Sequence, residues 1–202
     1  MAKDTKKTNP LKVVTPKFRL SFPELFEAKV YEDQAAKFSI KMLFDKKTDL
    51  APLKAVVKKA IQEKWGDNNI KGLTLPFVDG NEKDLDGYEN TIVVGASSKF
   101  KPQVVNQKLE EILTADDIYA GCFARAAINA YAWEAKNKQG KVIKRGVSFN
   151  LESVQKLSDG ERFVKVPDAK DTFDEVDDGS DDIDNYSLDD DNTLEDDDDF
   201  MN

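Results

Sequence analysis

One stretch of alternating residues, 119–134, constrains the fold of this chain more than any other segment. It reads YAGCFARAAINAYAWE, and successive side chains of a strand point to opposite faces. One face would carry small apolar side chains: Ala120, Cys122, Ala124, Ala126, Ile128, Ala130 and Ala132. The other would carry Tyr119, Phe123, Arg125, Asn129, Tyr131 and Trp133. Periodicity alone allows either face to be the core. Because a buried arginine without a partner is costly, Arg125 and Asn129 favour the small-residue face as the core.

The remaining segments predict more strands and few helices. Four further strands are expected at 11–22, 37–44, 91–101 and 141–157. Residues 50–65 have helical spacing, with Thr48 or Asp49 as the expected cap, and residues 104–113 predict a short second helix. Residues 66–90 predict a long loop. Strands with so few helices between them are typical of an α+β or small-barrel fold and not of a parallel α/β fold.

Charge divides the chain into two unlike parts. Residues 168–202 hold 17 acidic residues and one lysine, a net charge of −16, whereas residues 1–167 have a net charge of +7. A segment of like charge with few aliphatic residues is expected to be disordered. We therefore predict a folded domain at 1–167 and a disordered acidic tail at 168–202. A basic body suggests that it binds a polyanion and that the tail competes for the same surface; the alternative is a tail that serves solubility alone.

Composition argues against several classes of site. The chain has no histidine and one cysteine, Cys122, so histidine-based acid–base catalysis, a disulfide and a zinc site are not expected. No phosphate-binding glycine motif occurs, and the acidic loop at 79–87 departs from the calcium-loop pattern. We expect no catalysis, cofactor or metal. Without a secretory signal or a membrane-length apolar run, a cytoplasmic location is expected.

Aromatic rings interleaved with cations predict a surface for single-stranded nucleic acid, because bases stack on rings while cations contact phosphates. RNA stays open as a ligand beside DNA, since stacking does not detect the 2′-hydroxyl. Tyr131 and Trp133 are the expected stacking platforms, with Phe123 and Phe100 as further candidates. The expected phosphate contacts are Arg125, Arg19, Lys99, Lys101, Lys144 and Arg145.

Several segments resemble the phage replication single-stranded DNA-binding proteins. They are FRLSFPELFEAKV, KFSIKMLFDKKTDLAPLKAVVKKAI, LPFVDGN, GASSKFKPQVV and INAYAW followed by GVSFNLESVQ, and they cover about residues 12–157 in order. The resemblance implies a five-stranded OB-fold barrel with one or two inserted helices and a disordered acidic tail. It further implies a non-catalytic protein that coats single-stranded DNA during phage replication and recombination in the host cytoplasm. It makes a homodimer a possible assembly.

The same resemblance gives the tail a role in binding replication partners such as the polymerase and primase-helicase. The expected contact residues are Asp196, Asp197, Asp198, Asp199 and Phe200. In the family the aromatic residue is C-terminal, whereas Met201 and Asn202 follow Phe200 in this sequence. Two other hypotheses remain open: an acidic adaptor or DNA mimic that binds no DNA, and a nuclease or annealing enzyme with metal-bound carboxylates.

Overall fold

Strands make up about half of the residues that the computed structural model describes, which are 9–30, 35–66 and 71–163. All of these belong to one unit that spans Met1–Lys165. The strands are β1 (Lys12–Val14), β2 (Phe18–Lys29), β3 (Lys37–Asp45), β4 (Leu73–Thr74), β5 (Phe77–Asp79), β6 (Thr91–Ser98), β7 (Gln103–Val105), β8 (Phe123–Lys136) and β9 (Val142–Ser158). One α-helix, α1 (Ala51–Trp65), and a 3-10 turn at Gly80–Glu82 interrupt them within the described ranges. Residues 168–202 lie outside these ranges, so the domain boundary stays a prediction.

Five of the strands pair in a closed ring. β2 pairs with β3 and β3 with β6, both antiparallel. β6 pairs in parallel with β9, β9 antiparallel with β8, and β8 antiparallel with β2, which closes the ring. The short strands extend this ring at its margins, with β1 on β8, β5 on β6, and β4 and β7 on β9. The predicted mostly β fold with an inserted helix is confirmed.

The alternation of the strands places one face of each strand in a shared core. Buried members include Phe18, Leu20, Ile40, Phe44 and Phe149, and the rings of Phe18 and Phe44 meet edge to face at 5.6 Å between centroids. Burial of such side chains contributes roughly 1.5–3 kcal/mol each.

Helix α1 covers this core from one side. Leu53, Val57, Ala60 and Ile61 are buried along one face at helical spacing. The predicted cap at Thr48 or Asp49 is wrong, because Leu50 is the N-cap residue and provides no side-chain cap. Asp49 lies one residue earlier, where its Oδ1 accepts a hydrogen bond from the Ala51 N–H at 2.8 Å. Gly66 ends the helix in the left-handed conformation, and its N–H donates to Gln62 O. No helix within the described ranges has the length and apolarity that crossing a membrane requires.

The predicted helix at 104–113 is wrong. Residues Gln103–Val105 form β7 instead, and a loop follows that returns to an isolated bridge between Val105 and Glu111. Asn106 explains the difference, since its Oδ1 accepts hydrogen bonds from the N–H groups of Lys108 and Glu110. A side chain that binds nearby backbone donors in this way competes with helix formation.

The predicted loop at 66–90 and the predicted strand at 119–134 also differ from the structure. The apolar part of the loop contributes β4 and β5 to the sheet. The long strand β8 starts only at Phe123, because Gly121 just before it has a φ of +113°. A φ in that range strains any residue that has a Cβ.

Residues 159–163 return to the body and end in a small second apolar cluster. There Phe163 packs with Leu43, Tyr88 and Val93. Its backbone N–H donates to Ala120 O at 3.2 Å. Gly87 makes room for the ring, because a Cβ at that position would lie 2.4 Å from Cε1 of Phe163.

Two glycines with the same backbone conformation test this packing. Gly87 and Gly140 both have a φ of +78°, but a Cβ at Gly140 would meet nothing within 4 Å. Gly140→Ala should cost about 1–2 kcal/mol of unfolding free energy from backbone strain alone. Gly87→Ala should cost about 1–3 kcal/mol more, because the new methyl group displaces Phe163. Urea unfolding of both variants measures the difference.

A third variant identifies the cause of that difference. In a Phe163→Ala background the excess cost of Gly87→Ala should disappear, because the methyl group then has space. Equal costs for the two glycine substitutions in the natural chain would contradict the packing of Phe163 on Gly87.

Candidate nucleic-acid interface

The aromatic face of β8 points away from the core. The exposed fraction is 0–1% for four side chains of the small-residue face, those of Ala124, Ala126, Ile128 and Ala130. Tyr131, on the opposite face, is 42% exposed. We call the residues Phe123, Arg125, Ala127, Asn129, Tyr131 and Trp133 the outer face of β8. The sequence-based choice of the small-residue face as the core is therefore confirmed. Its physical basis is that alanine side chains allow the core beneath the strand to approach closely.

A groove of about 430 Å³ lies beside Tyr131. We call it the aromatic groove. Its lining residues are Lys37, Ser97, Ser98, Lys99, Phe100, Asn129, Tyr131 and Asn150. Strand register brings them together, because Asn129 pairs with Asn150 across β8 and β9, and Ser97 pairs with Asn150 across β6 and β9.

Phe100 forms the most exposed wall of the aromatic groove. It lies in the turn after β6 and its side chain is 82% exposed. Its backbone N–H donates a hydrogen bond to Ser98 Oγ at 3.0 Å, which helps to fix the turn. Lys99 and Lys101 flank it in sequence, and Lys99 lines the groove while the Nζ of Lys101 lies 5.6 Å from the centroid of the Phe26 ring.

Trp133 continues the outer face two residues beyond Tyr131. Its Nε1–H donates to Ser148 Oγ at 2.9 Å. Its ring lies against Gly146, because a Cβ there would be 2.7 Å from Cζ2 of Trp133. Residues two apart on a strand are about 7 Å apart, so the rings of Tyr131 and Trp133 form consecutive positions on one surface.

Polar side chains line part of the aromatic groove, Asn129 among them. The Oδ1 of Asn129 is buried and has no hydrogen-bond partner among the described residues. An unsatisfied buried acceptor costs about 1–3 kcal/mol. Because this oxygen is closed to solvent, side chains such as those of Ser97 and Asn150, and not this atom, supply the polar part of the groove lining.

Three of the predicted cations lie along the ladder of β8 and β9, but not in the groove. Arg125 is on the outer face, where its Nε donates to Gln155 Oε1 at 2.7 Å. Lys144 pairs with Ala135 and so shares the side of Trp133. Arg145 pairs with Glu134 on the opposite side, and its Cζ lies 5.6 Å from the centroid of the Trp65 ring.

The structure does not bring Arg19 and Phe123 to the aromatic groove. The Nη2 of Arg19 donates to Glu161 O at 2.8 Å, and its guanidinium lies 4.2 Å from the centroid of the Phe163 ring. Phe123 has the Nζ of Lys17 4.9 Å from its centroid. Both residues line a separate groove of about 430 Å³. The guanidinium of Arg19, which we expected to contact phosphates, is therefore already bound to other residues of the chain.

Sequence reasoning missed Lys37, Ser97, Ser98 and Asn150 of the aromatic groove. Asn150 on β9 and Ser97 on β6 are half-buried polar residues with buried neighbours on each side. This alternation of polar and apolar residues could have indicated from sequence that they face outward. Lys37, at the start of β3, gave no signal, because only folding brings it beside β6. The predicted tail contacts, Asp196 to Asp199 and Phe200, lie outside the described residues. Within the part of the chain that is described, no three acidic or cysteine side chains form a cluster that could hold a metal ion.

The inner side of the ladder shows one titratable group with a clear shift. The Nε1–H of Trp65 donates to Glu134 Oε1 at 2.7 Å. This hydrogen bond holds the pKa of Glu134 below its ordinary value of 4.5, and the charges of Lys64, Lys136 and Arg145 add to the effect. The resulting stabilisation is present above the ordinary pKa and is lost as the pH falls through the lowered one.

Trp65→Phe should raise the pKa of Glu134 toward its ordinary value, because the substitution removes the hydrogen-bond donor. A carboxyl NMR titration measures this. Trp133→Phe is the matched control, since the indole of Trp133 donates to Ser148 and should leave the titration of Glu134 unchanged. An unchanged pKa in Trp65→Phe would contradict the assigned cause.

Comparison with known proteins identifies relatives of the whole body. A family model described as the single-stranded DNA-binding protein of Enterobacter phage Enc34 matches residues 11–183. A putative protein p50 of Acyrthosiphon pisum secondary endosymbiont phage 1 is 34% identical over 168 residues, which are 76% of this chain and 87% of the relative.

Solved structures agree with these matches. The single-stranded DNA-binding protein of bacteriophage Enc34 in complex with single-stranded DNA is 25% identical, with a TM-score of 0.66 over 77% of this chain and 91% of that chain. A second structure of the Enc34 protein is 25% identical, with a TM-score of 0.63 over 82% and 92%. The resemblance drawn from the sequence is confirmed: the chain belongs to the family of phage proteins represented by the single-stranded DNA-binding protein of Enterobacter phage Enc34.

Proposed function

We propose that this chain binds single-stranded DNA along the outer face of β8 and the aromatic groove, as a non-catalytic coat protein of phage replication and recombination. The observation that carries the proposal is the exposure of Phe100 and Tyr131 on two walls of one groove that also holds lysines. Family membership supports it, because a solved relative is a complex with single-stranded DNA. Coating would protect the strand and remove its hairpins in the host cytoplasm.

Stacking supplies the contact that does not depend on base sequence. Every base has a π-face, and stacking on an aromatic side chain contributes about 1–3 kcal/mol per base. Phe100, Tyr131 and Trp133 are the rings available for it. Phe100 and Tyr131 are exposed in the free protein, whereas Trp133 is half-buried. A stacked base would cover the exposed rings.

Lysines beside the rings supply the contact to phosphates. Lys37 and Lys99 line the aromatic groove, and Lys41 lies over Gly95 on the same side of the sheet. Because neutralised phosphates release their counterions, binding is expected to weaken as salt rises.

The acidic tail has two roles in the proposal. Its aspartates attract basic surfaces over distances of up to about 10 Å at ordinary salt, and the Phe200 ring adds a short-range anchor for a partner such as the polymerase or primase-helicase. The same negative charge competes with DNA for the basic body. The support for both roles is the charge of −16 in residues 168–202 against +7 in residues 1–167.

Phe100→Ala and Tyr131→Ala should each weaken binding to oligo-dT by roughly five- to 150-fold, which corresponds to about 1–3 kcal/mol of lost stacking. Fluorescence anisotropy measures the affinity. Phe22→Ala is the control, because Phe22 is also an exposed phenylalanine but lies outside the groove. The proposal fails if Tyr131→Ala and Trp133→Ala together leave the affinity unchanged while thermal unfolding shows an intact fold.

A chain that ends at Pro167 should bind oligo-dT more tightly than the full chain, because the competing tail is gone. Its affinity should also fall more steeply with salt, since salt no longer loosens the tail as well as the DNA. Anisotropy across a salt series measures both effects. Weaker binding after truncation would contradict tail competition, and no binding by either chain would favour the acidic adaptor.

A further inference from the structure

The loop that follows β7 combines exposed leucines with carboxylates. The side chains of Leu109 and Leu113 are 72% and 70% exposed. Residues 106–117 contain Glu110, Glu111, Asp116 and Asp117 against one lysine, a net charge of −3 on a body whose net charge is +7. We call Leu109, Glu111, Leu113 and Asp116 the leucine loop.

The leucine loop is held in place by its own contacts. Ile112 is buried beneath it, and Asn106 accepts hydrogen bonds from two of its backbone N–H groups through Oδ1. Leu109 has a φ of +65°, in the left-handed region that leucine rarely adopts. A fixed loop thus holds large apolar side chains in solvent.

The turn between β8 and β9 has the opposite charge and is also apolar in part. Residues 136–145, KNKQGKVIKR, contain five cations and no acidic residue. Val142 and Ile143 are exposed beside them, Ile143 to 65%. We call Lys138, Lys141, Val142 and Ile143 the basic hairpin.

The two patches lie at opposite ends of one strand. Val105, just before the leucine loop, pairs with Gln155 near the end of β9, and the Nε2 of Gln155 donates to Asn106 O at 3.0 Å. The basic hairpin lies at the start of β9. Val142 and Gln155 are 13 positions apart, which corresponds to about 40 Å at the usual rise of a strand. The outer face of β8 runs alongside between these ends.

We propose that the leucine loop of one copy of this chain docks on the basic hairpin of the next copy when both are bound to one DNA strand. This inference rests on the proposed function and adds the surface through which successive copies meet. Both patches pair exposed aliphatic side chains with charge, and their charges are opposite. A contact between two different patches is head-to-tail and does not close on itself, so it can repeat along a strand of any length.

A second copy fits the leucine loop better than the acidic tail does. The tail carries −16 and would be repelled by the carboxylates of the loop. The basic hairpin supplies both complementary properties, positive charge and exposed aliphatic side chains, on this same chain. Contact between two leucine loops, or between two basic hairpins, would place like charges opposite each other and is therefore disfavoured.

Charge reversal of each patch in the full chain tests the contact. One variant carries Lys138→Glu and Lys141→Glu, another carries Glu111→Lys and Asp116→Lys, and a third carries all four substitutions. Matched controls change the charge equally elsewhere: Lys58→Glu with Lys59→Glu, and Glu82→Lys with Asp84→Lys. For each protein the measurement is the ratio of its affinity for poly(dT) to its affinity for an oligo-dT of about ten nucleotides, which is near one binding site.

The ratio should fall by about tenfold in each single-patch variant, because its two patches then have the same charge and repel. The four-substitution variant and an equimolar mixture of the two single-patch variants should both recover the natural ratio, since complementary pairs are available again. The controls should keep it.

Equal ratios in all the proteins would overturn the proposal. The proposal would also be overturned if the affinity ratio fell in the single-patch variants but did not recover in their mixture. The two patches would then act on something other than a second copy. Failure of the natural chain to bind even the oligo-dT would refute the proposed function instead.

Discussion

The close packing of the small-residue face of β8 against the core is the constraint on which the rest of the structure depends. Ala124, Ala126 and Ala130 lie fully inside, and their small size lets the layer beneath approach the strand. Once that face is buried, the alternation of side chains along the strand places the other face outside the core. Its rings, amide and arginine must face solvent or a ligand, since a strand cannot rotate alternate side chains back into the core.

The ladder of β8 and β9 then works as a scaffold with distinct surfaces. On the outer side, Tyr131 and Trp133 stand in line, and β6 adds Phe100 through the turn that follows it. On the inner side, Trp65 of α1 donates to Glu134 and engages Arg145. The ends of β9 carry patches of opposite charge. In the proposed function, stacking and contact between copies use different surfaces of this ladder from the packing of α1, so substitutions on each surface can be tested separately.

Much of this arrangement is accessible from sequence because it follows from local alternation. The orientation of β8, the helix at 51–65 and the lining roles of Phe100 and Tyr131 all depend on side-chain period and on rings between cations. What sequence reasoning missed depends on contacts between distant segments. Lys37 reaches the groove through the pairing of β3 with β6, and Arg19 is occupied by Glu161. The helix predicted at 104–113 failed for a local reason, the side chain of Asn106, which periodicity does not reveal.

The two tryptophans lie on opposite sides of the same ladder, so their fluorescence can show which side binds DNA. Trp65→Phe leaves Trp133 as the sole tryptophan, and Trp133→Phe leaves Trp65, so excitation selective for tryptophan reports on one side at a time. If DNA binds on the outer face of β8, titration with oligo-dT should strongly quench the emission of Trp133 and change that of Trp65 little. Quenching of Trp65 with an unaffected Trp133 would contradict binding on the outer face, because DNA would then lie on the helix side.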